Sequence, residues 1–182
     1  KQDESLIIKC NDSRYLDEIF IQKGFGIVVG ASGSGKSVLM RNIIDNLKKE
    51  KYNPLFFSRE IINDNLATRL LASDINERKN LKKDKDIFEE LNSIVKRKLK
   101  GELISTGEAE RLILYFASYV KSDFIVLDEY FLNIEDQQKE KYIKLLLNCR
   151  KNNYTILITH DRFIQKNKNL NLINVFNKKI ES

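Results

Sequence analysis

A chain of 182 residues with 42% hydrophobic residues and a single proline can bury one ordinary core and is too apolar for a disordered segment. The 32 Lys and Arg outnumber the 26 Asp and Glu, but the signs interleave, as in NERKNLKKDKDIFEE (76–90), which describes a solvated helical face and makes nucleic acid an unlikely partner. No apolar run approaches the roughly 20 residues of a membrane helix, the N-terminus does not resemble a signal peptide, and Cys10 and Cys149 fit no metal or redox spacing, as suits unpaired thiols in a reducing compartment.

Short β-branched runs alternate with stretches of helical periodicity. In chain order, FGIVV (25–29) predicts a strand, 36–50 a helix, PLFFS (54–58) a strand, and 61–73, 85–99 and 108–120 helices. FIVLD (124–128) predicts a strand, 135–151 a helix, and TILIT (155–159) and LINVF (172–176) two more strands. FIVL and TILI are apolar on both faces, as strands covered by helices on two sides must be. The alternation predicts an α/β fold with a mainly parallel sheet, whose ligands bind beyond the carboxyl ends of its strands. Residues 66–104 are the most polar and helical part and read as a helical subdomain inside one domain spanning 1–182.

The run GIVVGASGSGKSVLM (26–40) leaves the first of these strands as a loop of the form G-x-x-x-x-G-K-S, with Gly30, Gly35, Lys36 and Ser37 at the fixed places. Glycines let successive backbone N–H groups turn inward around phosphate oxygens, and the following helix adds the positive end of its dipole. Lys36 would reach the β- and γ-phosphates, and the Ser37 hydroxyl would ligate Mg²⁺. In DFIVLDEYF (123–131), Asp128 and Glu129 stand where a strand emerges, Asp128 suited to the Mg²⁺ shell and Glu129 to polarising a water. In ISTGEAERL (104–112), Ser105 and Glu108 form S-x-x-E, which by itself predicts a capping box opening a helix.

That same stretch resembles the signature motif of ABC-type ATPases, with Ser105, Gly107, Glu108 and Arg111 in their places. Asp128 follows Ser105 by 23 residues, and ILITHD (156–161) is similar to the family's switch-histidine strand, placing His160, the only histidine, 32 residues after Asp128. The resemblance runs from about residue 5 to the C-terminus, where NLINVFNKKIES (171–182) is similar to a closing strand pair. It implies a P-loop NTPase with a signature-bearing helical subdomain and a reduced antiparallel β part. It implies ATP and Mg²⁺ as cofactors, with Gly30, Ser32, Gly33, Ser34, Gly35, Lys36, Ser37 and Val38 (the Walker A loop) around the phosphates. Two such domains would meet head to tail, Ser105 and Gly107 of one touching the γ-phosphate held by Lys36 of the other, with Glu129 as general base and His160 as γ-phosphate sensor. The second ATP-binding domain is one partner. A transmembrane permease is the other, on the same chain or another, which would hold the domain in the cytoplasm at the membrane face. PLFFSREIINDNLA (54–67) looks like the segment after the Q-loop in peptide- and lipid-exporting members, and a start at Lys1 fits a piece of a longer chain with the membrane part ahead of it.

The chain departs from the family pattern at named places. The interval from Lys36 to Ser105 is short, and only Asn53 or Ser58 stands near the Q-loop position that normally holds Gln. Val38 replaces a second hydroxyl residue, Thr106 replaces the first signature glycine, and Glu135 or Asp136 is the acidic D-loop candidate. Tyr15 is the only aromatic near the place of an adenine-stacking residue, and its other reading is a rim residue packed on the sheet edge. The functions expected are ATP hydrolysis powering an exporter, a soluble ABC-type mechanoenzyme or regulator, or a small P-loop kinase. A coiled-coil insertion would mark the second and lid arginines the third.

Overall fold

The computed structural model describes residues 5–29, 35–58 and 85–176, and gives only the backbone at 35–38. Of the expected elements, the helix over 61–73 and most of PLFFSREIINDNLA beyond Ser58 lie outside the described residues, as do Gly30, Ser32, Gly33 and Ser34. The described chain groups into two compact units, one holding all the strands and the other three helices.

In the sheet unit, β1 (Leu6–Lys9) and β2 (Glu18–Ile21) form an antiparallel pair with Leu6 opposite Ile21 and Lys9 opposite Glu18. Alternation decides which face is covered: Ile8, Ile19 and Ile21 are buried, while the cross-strand partners Ile7 and Phe20 point to solvent at 46% and 55% exposure. The outward edge of β1 meets α1 (Gly35–Lys49), where the Asn46 side chain accepts from the Lys9 N–H at 3.0 Å and donates to the Lys9 carbonyl at 2.9 Å. In the turn between the strands, Arg14 donates through Nε and a terminal nitrogen to Asp12, and these bonds hold the Asp12 carboxyl down at about 2.

The main sheet contains β3 (Gly24–Val29), β4 (Leu55–Ser58), β5 (Phe124–Asp128), β6 (Tyr154–Thr159) and β7 (Asn171–Leu172), in the order β4-β5-β6-β3-β7. All neighbours are parallel. β6 is buried at every residue and β5 at every residue except Asp128, as their continuous apolar runs require. Each large apolar side chain so covered contributes about 1.5–3 kcal/mol. At the amino ends of these strands, Arg150 is 1% exposed, donating to Thr155 Oγ1 at 2.8 Å and to the carbonyls of Ser122 and Tyr154 at 2.9 and 3.2 Å. A buried guanidinium is tolerable when its donors are met in this way. The expected strand over 172–176 is shorter: β7 covers two residues, and Phe176 instead forms an isolated bridge to Tyr15.

The helical unit contains α2 (Lys85–Leu99), α3 (Thr106–Tyr119) and α4 (Asp136–Cys149). Glu90 on α2 accepts from the Tyr142 hydroxyl of α4 at 2.5 Å and pairs with Arg111 of α3 at 3.2 Å. One carboxylate thus ties three helices, and burial together with that carboxylate pushes the Tyr142 hydroxyl far above the ordinary tyrosine range. Cys10 is buried, and its burial, with Asp12 nearby, raises its thiol, whereas Cys149 is only half-buried.

Candidate nucleotide site

The parallel register aligns the carboxyl ends of the strands. Val29, the last residue of β3, lies opposite Thr159, and Asp128 lies opposite Ile158. β6 stands between the strand that leads into the Gly30–Ser37 loop and the strand that ends in Asp128. His160, the next residue after β6, therefore emerges between those two strand ends. Its Nε2 lies 3.1 Å from Oε1 of Glu129, with side-chain exposures of 41% and 22%. His160 is held from the other side as well: Thr159 Oγ1 accepts from the Asp161 N–H at 2.9 Å, and Asp161 caps the short helix α5 (Arg162–Gln165).

Glu129 sits at φ 58° and Phe131 at φ 84°, in the left-handed region that side chains other than glycine rarely enter. Such residues cost of order 1–3 kcal/mol each and persist where the surroundings over-determine them. The Glu129 N–H donates to the Ile158 carbonyl at 2.9 Å, which anchors the start of this turn to β6. Asp128 is half-buried at the strand end. Lys36 and Ser37 lie in the first turn of α1, and nothing beyond their helical backbone is described.

In the helical unit, Ser105 is the N-cap of α3. Its Oγ accepts from the Glu108 N–H at 3.1 Å and Glu108 Oε1 accepts from the Ser105 N–H at 2.9 Å, so the capping box expected from S-x-x-E is present. Burial pushes the Glu108 carboxyl up, but Arg97 and the Ser105 N–H outweigh it and hold the carboxyl below its ordinary value. Gly107 has a local reason to be glycine: a Cβ there would lie 2.2 Å from the Asn133 carbonyl oxygen.

Tyr15 requires a correction. Its ring is 2% exposed, stacked on Phe176 at 5.4 Å between centroids, with the Arg14 guanidinium 5.9 Å from its centroid. A base cannot stack on a ring covered in this way, and the packing matches the sheet-edge alternative. Sequence reasoning also missed Glu110 and Asn133. Glu110 is fully buried and accepts from the Asn133 backbone N–H at 3.3 Å and from its side-chain amide at 2.8 Å. A charged residue three positions after Gly107 on a helix carries no local mark of such a partner.

A family model described as an AAA domain matches residues 21–166. The molybdate/tungstate import ATP-binding protein WtpC of Pyrococcus horikoshii is 28% identical over 149 residues, covering 69% of this chain and 43% of that protein, so the chain spans less than half of that relative's length. Among solved structures, the archaeal ribosome recycling factor aABCE1, in complex with the ribosomal stalk protein aP1, superposes with a TM-score of 0.52 at 15% identity, over 87% of this chain and 40% of that one. CbiO1 of Clostridium perfringens, part of the ABC transporter complex cbiONQ, gives 0.50 at 15% identity, over 88% and 80%. These two likenesses concern the fold.

Proposed function

The chain belongs to the AAA-domain family, and from that premise we propose that it binds and hydrolyses ATP as an ABC-type nucleotide-binding domain working in a head-to-tail dimer coupled to a membrane transporter. The observation that carries the reading is the strand order, which brings His160 out between the phosphate-loop strand and Glu129, 3.1 Å from that carboxylate. In this scheme the Gly30–Val38 loop holds the phosphates of ATP, with Lys36 among the β- and γ-oxygens. Glu129 takes a proton from water, the water oxygen bonds to the γ-phosphorus, and the bond to the β-phosphate oxygen breaks to release ADP. His160 orients Glu129 and meets the γ-phosphate. Ser105 and Gly107 of a second copy complete the site.

Mg²⁺ suits the donors available, a hard carboxylate at Asp128 and the Ser37 hydroxyl, and supplies charge neutralisation on the phosphates when bound. Among the described residues no helix is long and apolar enough to cross a membrane. The transporter reading also calls for a permease, on the same chain or another, which would hold the domain on the cytoplasmic face. The likeness of 54–67 to exporting members favours export, and the import named for WtpC favours the other direction. ATP-driven flux of substrate in vesicles carrying the assembled transporter separates the two.

The Q-loop supports a second reading, a soluble ABC-type ATPase. Ser58 ends β4 and its carbonyl accepts from the Tyr130 hydroxyl at 3.2 Å, with no glutamine there to link nucleotide and permease. Glu129→Gln tests the dimer that both readings share. Hydrolysis should fall by about 10²–10⁴-fold, and with ATP the variant should elute as a dimer in size-exclusion chromatography. A strictly monomeric variant would argue for phosphotransfer of the P-loop kinase type.

A further inference from the structure

The nucleotide site takes the carboxyl ends of the sheet, and the opposite, amino ends carry a different chemistry. The segments that lead into β3, β4, β5 and β6 all belong to the sheet unit. Each brings an exposed lysine: Lys23 before β3, Lys51 before β4, Lys121 before β5 and Lys151 before β6. The parallel register levels these strand starts, with Gly24 and Phe124 both opposite Tyr154 and Leu55 opposite Ile125. α1 runs into the segment before β4 and adds Lys48 and Lys49. Six exposed lysines thus share this end with two exposed acids, Glu50 and Asp123. Charges that interleave along the sequence are sorted by the fold.

The four segments are tied to one another. The Gly24 N–H donates to the Asn153 carbonyl at 2.7 Å, the Tyr154 N–H to the Asp123 carbonyl at 2.8 Å, and the Ser122 hydroxyl to the Asn53 carbonyl at 3.0 Å. These bonds follow the strand order β3, β6, β5, β4. Buried Arg150 adds its own bonds to the Ser122 and Tyr154 carbonyls. With neighbouring strands about 4.8 Å apart, the lysine row spans roughly 15 Å.

The composition of this end selects among anionic partners. Its exposed cations are all lysines, and the arginine fork that reads bases and grips single phosphates is present only as buried Arg150. The one aromatic ring on these segments, Tyr52, is half-buried in an edge-to-face pair with Tyr154, 6.1 Å between centroids, rather than presented to a base. Close by along the chain stands the exposed apolar pair Ile7 and Phe20. Phe20 is three residues from Lys23, and so within about 11 Å of it. Diffuse positive charge beside apolar side chains suits a lipid surface, where flexible ammonium groups meet headgroup anions in no fixed array. We infer that the amino-terminal end of the sheet is a docking surface for an anionic bilayer. This contact lies apart from the phosphate loop and does not depend on the ATPase reading.

The test is co-sedimentation of the whole chain with vesicles of phosphatidylcholine, alone or with about a third phosphatidylserine. The chain should bind only the anionic vesicles. Raising salt from about 0.1 M to 1 M, which shortens the Debye length from about 10 to 3 Å, should release it. Lys23→Gln, Lys51→Gln, Lys121→Gln and Lys151→Gln combined should weaken binding at least about tenfold, with the melting temperature and the Kd of a fluorescent ATP analogue unchanged. Should that variant melt early, Lys23→Gln with Lys151→Gln, and Lys51→Gln with Lys121→Gln, carry the same comparison at about threefold each. Removing four charges from the helical unit instead, by Lys85→Gln, Lys96→Gln, Lys100→Gln and Lys144→Gln, should leave binding within about twofold of wild type. Equal binding to neutral vesicles, no binding to anionic ones, or an equal loss in the helical-unit variant would overturn the assignment. So would a labelled single-stranded RNA that the lysine row binds while anionic vesicles are ignored, which would make nucleic acid the partner. The ATPase reading stands or falls separately, on hydrolysis and on the Glu129→Gln dimer.

Discussion

At the carboxyl end of β5 the backbone is bent out of its comfortable range, with Glu129 at φ 58° and Phe131 at φ 84°, whereas at the N-terminus of α3 Ser105 and Glu108 close an ordinary capping box and Gly107 makes room for a neighbouring carbonyl. The two regions carry motifs of similar length, and they mean different things. The residues at the helix start account for themselves through stability alone, so their part in contacting a second nucleotide rests on a resemblance. The strand end costs stability, since its acidic residue holds a left-handed conformation that glycine would adopt more cheaply. Strain of this kind points to function more directly than a motif that also caps a helix.

The contrast can be tested from both sides. Glu129→Gly should lower ATP hydrolysis by at least about 10²-fold through loss of the base, yet it should raise the urea midpoint. Relief of left-handed strain, of order 1–3 kcal/mol, outweighs the roughly 0.4–1 kcal/mol by which glycine loosens the unfolded chain. A variant that is inactive and also less stable would show that Glu129 is part of the scaffold after all.

Gly107→Ala should act in the opposite sense. Helix propensity favours alanine by about 1 kcal/mol, but the clash with the Asn133 carbonyl forces a shift that typically costs about 1–3 kcal/mol. Chemical denaturation should show a net loss, and a stabilised variant would mean that the loop gives way freely.

Ser105→Ala should cost about 1 kcal/mol as a lost cap. The Glu108 half of the box adds a pH dependence whose sign follows from its lowered carboxyl. Its contribution is complete above the ordinary glutamate range and is lost as pH falls through that range and below. The stability gap between wild type and Glu108→Gln, measured by urea denaturation at pH 7 and at successively lower pH, should therefore close on acidification. A gap that widened in acid would contradict the pairing of Glu108 with Arg97 and the Ser105 N–H.

Legibility in the sequence followed burial. β5 and β6 read directly because every side chain but that of Asp128 is covered, and such strands must be continuous apolar runs. The ends of β3, β5 and β6 could be set side by side in advance, because parallel strands bring their carboxyl ends together whatever their order. β1 and β2 escaped notice because each is four residues long with three consecutive apolar positions, too short for a period to stand out. LINVF read as a longer strand than it is, since Leu172 is 70% exposed and Phe176 turns away to Tyr15. The Glu110–Asn133 contact and the burial of Tyr15 depend on which residues meet across 23 and 161 positions of chain, and local pattern holds no record of that.

The Asn46 amide, finally, stands in for a strand. The Lys9 N–H and carbonyl face away from β2, and one side chain supplies both the acceptor and the donor that another copy's backbone would otherwise offer. With Ile7 and Phe20 exposed beside it, an unguarded rim there would invite ribbon-like stacking of one molecule on the next. A single amide on α1 therefore closes this one step of the exposed edge to a strand from another molecule.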